Sequence, residues 1–100
     1  MKIQIQNQTL SVTELTELSA ANAGVFRDQT RTALTDAIKT LDVDMSQTRF
    51  VDSSGLGALI ALHKTLVSRG GSVRIVRPTP TTLQILELTR LHRIFEIVNT

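Results

Sequence analysis

One hundred residues, 41% of them hydrophobic, make one compact domain with a single core over residues 1–100 and no second unit. There is no cysteine, which excludes a disulfide framework, a thiol nucleophile and a cysteine-ligated metal, and His63 and His92 are too far apart to mark a metal site by spacing. The net charge of +2 divides unevenly: residues 53–100 carry six basic and two acidic side chains, residues 1–52 five and seven. Arg69, Arg74, Arg77, Arg90 and Arg93 are dispersed over several elements, and no Tyr or Trp is present to stack on bases, so they read as a solvated surface and direct nucleic-acid binding is not expected.

The polar start, Met1 to Asn7, lacks the apolar core of a secretory signal. No apolar stretch approaches the ~18 residues that cross a bilayer, so a cytoplasmic protein without membrane insertion is expected. Lys2 to Gln6 and Thr9 to Thr13 each alternate, with Asn7-Gln8 suited to a tight reversal, which predicts an N-terminal antiparallel hairpin. From Asn22 onward Phe26, Thr30, Ala33, Leu34, Ala37, Ile38 and Leu41 recur at helical spacing, and Ser19 or Asn22 can cap that helix.

From Leu41 to Met45 the period changes to two, predicting a strand whose Asp42 and Asp44 form a polar face or anchor a loop. After the turn Asp52-Ser53-Ser54-Gly55-Leu56-Gly57, a helix from about Ser54 to Ser68 is expected to bury Leu56, Leu59, Ile60, His63, Leu66 and Val67 and to stop at Gly70-Gly71. His63 on that stripe reads as a histidine at the edge of the core. Val73 and Ile75 begin another strand; Thr79-Pro80 starts a helix through Leu83, Ile85, Leu86 and Leu88; Ile94 to Val98 closes the chain as a strand. Strands joined through helices imply parallel pairing and right-handed crossovers, giving an α/β fold with a small mixed sheet covered by helices.

The Asp52 turn carries the chemistry. It lies between a strand and a helix, at the carboxyl edge where α/β sheets bind ligands, and a helix N-terminus favours negative charge. Taken alone, Asp-Ser-Ser-Gly is also what any strand-to-helix turn uses for capping. Ser54 fits the capping role, which leaves the Ser53 hydroxyl displayed. Gly55-Leu56-Gly57 is too short for a dinucleotide fingerprint, no phosphate-binding loop motif occurs, and Ser53 lacks a nucleophile elbow, so no catalysis is expected.

Val43-Asp44-Met45-Ser46 followed by Phe50-Val51-Asp52-Ser53-Ser54-Gly55-Leu56-Gly57 resembles the signature of STAS domains, specifically the bacterial anti-sigma factor antagonists. The resemblance spans nearly the whole chain, with Leu18 to Ala23 at the turn into the first helix and Leu86 to Ile97 at the closing helix and strand. It implies an antagonist that binds a serine kinase/anti-sigma factor and is released when Ser53 is phosphorylated. It further implies ATP and magnesium on the kinase, a separate serine phosphatase, and no cofactor on this chain. A partner surface of Ser19, Asn22, Asp52, Ser54, Gly55, Leu56 and Gly57 is expected, with the N–H groups of Gly55, Leu56 and Gly57 receiving the phosphate. The alternative within the same resemblance is a STAS adaptor without a phosphoryl cycle, a scaffold subunit of a stress-signalling complex or a component of a lipid transporter. Two positions depart from the pattern: Ser19 stands where a carboxylate is common, and Arg90 where a glycine often follows threonine. A left-handed backbone at Arg90 would be strained.

Overall fold

The computed structural model describes Met1–Asn99. The chain runs β1 (Lys2–Gln6), β2 (Thr9–Thr13), β3 (Glu17–Leu18), α1 (Ala23–Ala33), β4 (Thr40–Asp44), β5 (Phe50–Val51), α2 (Ser53–Val67), β6 (Ser72–Val76), α3 (Pro80–Leu88), a 3₁₀ turn (Leu91–Arg93) and β7 (Glu96–Val98). The main sheet has the order β1-β2-β4-β6-β7, antiparallel between β1 and β2 and parallel elsewhere, as expected for a hairpin followed by strand–helix–strand units. Each crossover steps one strand in the same direction, so right-handed connections put all the helices on one face. That face is apolar: Leu10, Val12, Leu41, Val43, Val73 and Ile75 lie in one core with Phe26, Leu59, Leu62, Leu66 and Leu86. The other face is polar, and Ser11, Asp42, Arg74 and Glu96 sit side by side across four strands.

This polar face accounts for the carboxylates of β4. Asp42 accepts two bonds from the Arg74 guanidinium, at 2.7 and 2.8 Å. Asp44 accepts from the backbone and hydroxyl of Ser46 and pairs with Arg77, which ties the loop after β4 to the sheet. Burial pushes the Asp44 carboxyl up, but the Ser46 bonds and Arg77 outweigh it and leave the group below its ordinary value. Arg69 donates to the carbonyls of Leu34 and Thr35, so three of the five dispersed arginines serve the fold itself.

Several expectations are corrected. α1 ends at Ala33; Leu34 leaves helical geometry, and Leu34 and Ile38 reach the core from a turn that Arg69 holds. The threonines and Asp36 of this stretch are weak helix formers, so packing of two apolar side chains persists without the helix. The buried stripe of α2 is rotated from the expected one: Gly55, Ala58, Leu59, Leu62 and Leu66 are buried, Leu56 and Ile60 half-buried, and Val67 53% exposed. His63 sits at the core's edge with its ring at 89° to Phe95. In α3 Leu88 faces solvent. The closing strand begins at Glu96, because Ile94 and the buried Phe95 belong to the turn before it. The stop at Gly70-Gly71 and the helix start at Thr79-Pro80 form as expected: Gly70 is left-handed at φ +74°, and Thr79 caps α3 with Pro80 at its first turn. Arg90 adopts φ 62°, so the left-handed turn is kept with an arginine in it.

Candidate functional site

β3 and β5 are too short to show a period in the sequence, yet they build the site. They pair in parallel, Glu17 with Phe50 and Leu18 with Val51, apart from the main sheet. Pairing continues one residue further, where the Asp52 N–H donates to the Leu18 carbonyl at 3.2 Å. This brings the end of β5 and the start of α2 beside the turn Ser19–Asn22 that leads into α1.

Asp52 joins the two segments. Its backbone is extended (φ −122°, ψ −175°), and Oδ1 accepts from the Gly55 N–H at 3.1 Å, making Asp52 the cap of α2. Oδ2 accepts from the Ala20 N–H, 32 residues away in sequence, at 3.0 Å. These N–H groups, Ala20 first, then Gly55 and to a smaller extent Ser54, hold the Asp52 carboxyl below its ordinary value against a small opposing effect of burial. The expectation that Ser54 caps the helix is thereby corrected, since a carboxylate one residue outside the helix has the better geometry and the stronger acceptor.

Ser53 and Ser54 then occupy the first two positions of α2. Both are exposed, and neither hydroxyl has a partner among the described residues. The expected phosphate seat is also corrected. The Gly55 N–H already bonds Asp52 Oδ1 and the Leu56 N–H bonds the Asp52 carbonyl at 3.0 Å, while Gly57 lies far enough in to bond within the helix. A phosphoryl group on Ser53 would meet the positive end of α2 with the Gly55 and Leu56 donors occupied and a carboxylate alongside.

The other expected partner residues divide between scaffold and surface. Ser19 is 3% exposed; its hydroxyl donates to Glu17 Oε2 at 2.6 Å and accepts from the Ala21 N–H. Asn22 stands at the cap position of α1, but its side chain serves the turn, accepting from the Ser19 N–H and donating to the Glu17 carbonyl. Gly55 is buried where a Cβ would lie 2.0 Å from the Leu18 carbonyl oxygen, so this glycine is what lets α2 lie against β3. Leu56 is half-buried, and Gly57 is exposed with nothing within 4 Å of a Cβ. Two exposed apolar side chains went unnoticed in the sequence: Phe50, 57% exposed two residues before Asp52, and Val25, 55% exposed in the first turn of α1. Phe50 could have been found from its alternation with buried Val51 in a strand of known pairing; the pairing itself left no signal.

A hollow of about 770 Å³ adjoins β5, lined by Thr16, Ser46, Gln47, Thr48, Arg49, Thr79 and Thr81, and Ser53 is not part of it. No cluster of three or more His, Cys, Asp or Glu able to hold a metal ion occurs among the described residues.

The sequence model of the STAS domain matches residues 1–100. The chain belongs to the STAS domain family. It is 29% identical over 85 residues to a proposed anti-sigma factor antagonist of Thermotoga maritima, covering 84% of this STAS chain and 75% of the relative. A crystal structure of a proposed anti-sigma factor antagonist from Thermotoga maritima superposes with a TM-score of 0.89 at 25% identity, covering 99% of this chain and 86% of that one. The anti-sigma factor antagonist SpoIIAA in its unphosphorylated form superposes with a TM-score of 0.80 at 19% identity, over 99% and 87% of the two chains. The Bacillus protein of that name in its phosphorylated form gives 0.77 at 20%, over 97% and 89%. Among the described residues no helix is long and apolar enough to cross a membrane.

Proposed function

We propose that this STAS domain is an anti-sigma factor antagonist. It binds a serine kinase/anti-sigma factor while Ser53 is unmodified and is released when that kinase phosphorylates Ser53. The observation that carries the reading is the display of Ser53: an exposed hydroxyl without a partner among the described residues, at the first position of a helix whose cap is supplied by Asp52. The Thermotoga relative supports the antagonist role.

In the transfer, the Ser53 Oγ attacks the γ-phosphorus of ATP held with magnesium on the kinase. The hydroxyl proton passes to a base of the kinase, and ADP leaves. A separate serine phosphatase resets the site by delivering water to the phosphorus and releasing inorganic phosphate. This chain supplies the acceptor oxygen and no catalysis, because the carboxylate next to Ser53 is committed to Ala20 and Gly55. It acts in the cytoplasm without contacting nucleic acid.

Release follows from electrostatics. A phosphoserine brings about −1.5 to −2 charge beside Asp52. In the free domain, water and the α2 dipole accommodate it. Within a docked interface the same charge loses its hydration beside another carboxylate, a cost of several kcal/mol, which corresponds to two or more decades of affinity. Phe50 and Val25 provide exposed apolar contact area near the turn and the start of α1. Incubation with the partner kinase and ATP, followed by peptide mapping, tests the assignment: one phosphate on Ser53, absent from Ser53→Ala. A phosphate on Ser54, Ser46 or Thr48 rejects it.

A further inference from the structure

The hairpin leaves β1 as the outer strand of the five-stranded sheet, and against pairing its free edge carries one charged side chain, Lys2 at its start, and no proline or bulge. β1 pairs with β2 in unbroken register from Lys2↔Thr13 to Gln6↔Thr9, without proline or bulge, and turns Ile3 and Ile5 toward the helix side. The opposite edge, β7, is protected by being three residues long. Ile5 is 52% exposed while its cross-strand neighbour Leu10 is 0% exposed, so the helix layer covers β2 and stops short of the end of β1.

The hairpin also fixes which backbone groups face outward. Gln6 and Thr9 flank the two-residue reversal and form its closing hydrogen-bonded pair, and antiparallel pairs alternate from there. Lys2, Gln4 and Gln6 therefore direct their N–H and C=O groups at β2. Ile3 and Ile5 direct theirs at the free edge.

We propose that a second copy of this chain pairs antiparallel with β1 about a two-fold axis at Gln4, joining two five-stranded sheets into one. With the axis at Gln4, Ile3 of each copy faces Ile5 of the other, and Lys2 faces Gln6. Each Ile3–Ile5 pair then exchanges two backbone hydrogen bonds between groups that already point outward, and Gln4 meets its own copy in the intervening non-hydrogen-bonded position. The four isoleucines come together on one face and cover the bare surface of Ile5. The strand's single charge, Lys2, opposes an amide and not its like. An axis at Ile3 or Ile5 shortens the overlap within the strand, and a shift to an axis between residues sets isoleucine against glutamine on opposite faces. Five residues a side is well below the roughly 20–30 of a stable interface, so the dimer is weak and concentration-dependent.

The absence of native cysteine makes the test direct. Opposed Cα atoms in a non-hydrogen-bonded antiparallel pair lie about 4.5 Å apart, within the span of a disulfide. Under mild oxidation Gln4→Cys should form a covalent dimer about tenfold or more faster than Gln6→Cys, whose two thiols the register holds several residues apart. Sedimentation velocity of the unmodified chain should show a coefficient that rises toward the dimer at several hundred micromolar. Ile5→Lys, at an exposed side chain and with an unchanged circular dichroism spectrum, should weaken that association by about tenfold or more. Equal cross-linking rates at the two positions, a coefficient independent of concentration, or association indifferent to Ile5→Lys would each overturn the proposal.

Discussion

The starts of α2 and α3 are two solutions to the same problem. Both helices follow a strand and both have a side-chain cap. At α3 Thr79 accepts from the Thr82 N–H at 3.2 Å and donates to the Thr82 hydroxyl, Pro80 removes a donor that would need a partner, and Thr82 is buried. The cap serves only its own helix there, and Thr81 at the second helical position is exposed. At α2 the cap is a carboxylate with two oxygens, so one can serve Gly55 while the other reaches Ala20 in a separate segment. In both helices the cap stands one residue before the helix, and at α2 the hydroxyls of Ser53 and Ser54 have no partner among the described residues. What sets α2 apart is the second oxygen of its cap, which ties the helix start to the Ser19–Asn22 turn.

The largest expected effect comes from the close approach that only α2 has. Gly55→Val puts a side chain into the Leu18 backbone and should remove several kcal/mol of stability, more than any surface change; urea denaturation measures it. Gly57→Ala in the same helix, with open space around it, should instead stabilise by about 0.5–1 kcal/mol. Comparable losses at both glycines would break the account of how α2 sits on β3.

Capping comes next. Thr79→Ala should cost about 0.5–2 kcal/mol, and Asp52→Ala should cost more than Thr79→Ala because it also releases Ala20. Ser54→Ala should fall within about 0.5 kcal/mol of the parent in the same denaturation experiment, since Ser54 caps nothing. A Ser54→Ala loss as large as that of Asp52→Ala would contradict the assignment of the cap.

The smallest effect is a difference in acid response. The folded domain holds the Asp52 carboxyl below its ordinary value of 3.8, chiefly through the Ala20 and Gly55 N–H groups. A lowered native value means that the contribution is complete above pH 3.8 and is lost as pH falls through the native value. The Ala20 and Gly55 amides should therefore shift and exchange faster in that window, while the Thr82 amide, bound to a hydroxyl that does not titrate, should not follow them. Parallel titration of all three amides would remove the distinction between the two caps.

Much of this molecule is legible in the sequence, because periodicity reports burial wherever an element is long enough to repeat. The hairpin, β4, β6 and the start of α3 follow from alternation or from Thr79-Pro80, and the turn between β5 and α2 follows from the residue types of Asp52 to Gly57. Periodicity fails for β3 and β5, two residues each, whose pairing is decided by tertiary contact. It misleads at Leu34 and Ile38, which keep helical spacing while packing from a turn. The sequence assigns the cap to Ser54, and the cap is Asp52, which by residue type is as good; only the position of Leu18 and Ala20 across the gap decides for Asp52. The structural role of Gly55 needed the same information.

The central claim is that the charge state of Ser53 sets partner affinity. Calorimetric titration of the partner kinase/anti-sigma factor with the unmodified chain, and with the same chain stoichiometrically phosphorylated on Ser53, tests it most directly. The account predicts a loss of about a hundredfold or more in affinity on phosphorylation, with Ser53→Ala binding like the unmodified chain. Equal affinity of the two forms would contradict the switch and assign the Ser53 turn to a constitutive adaptor surface.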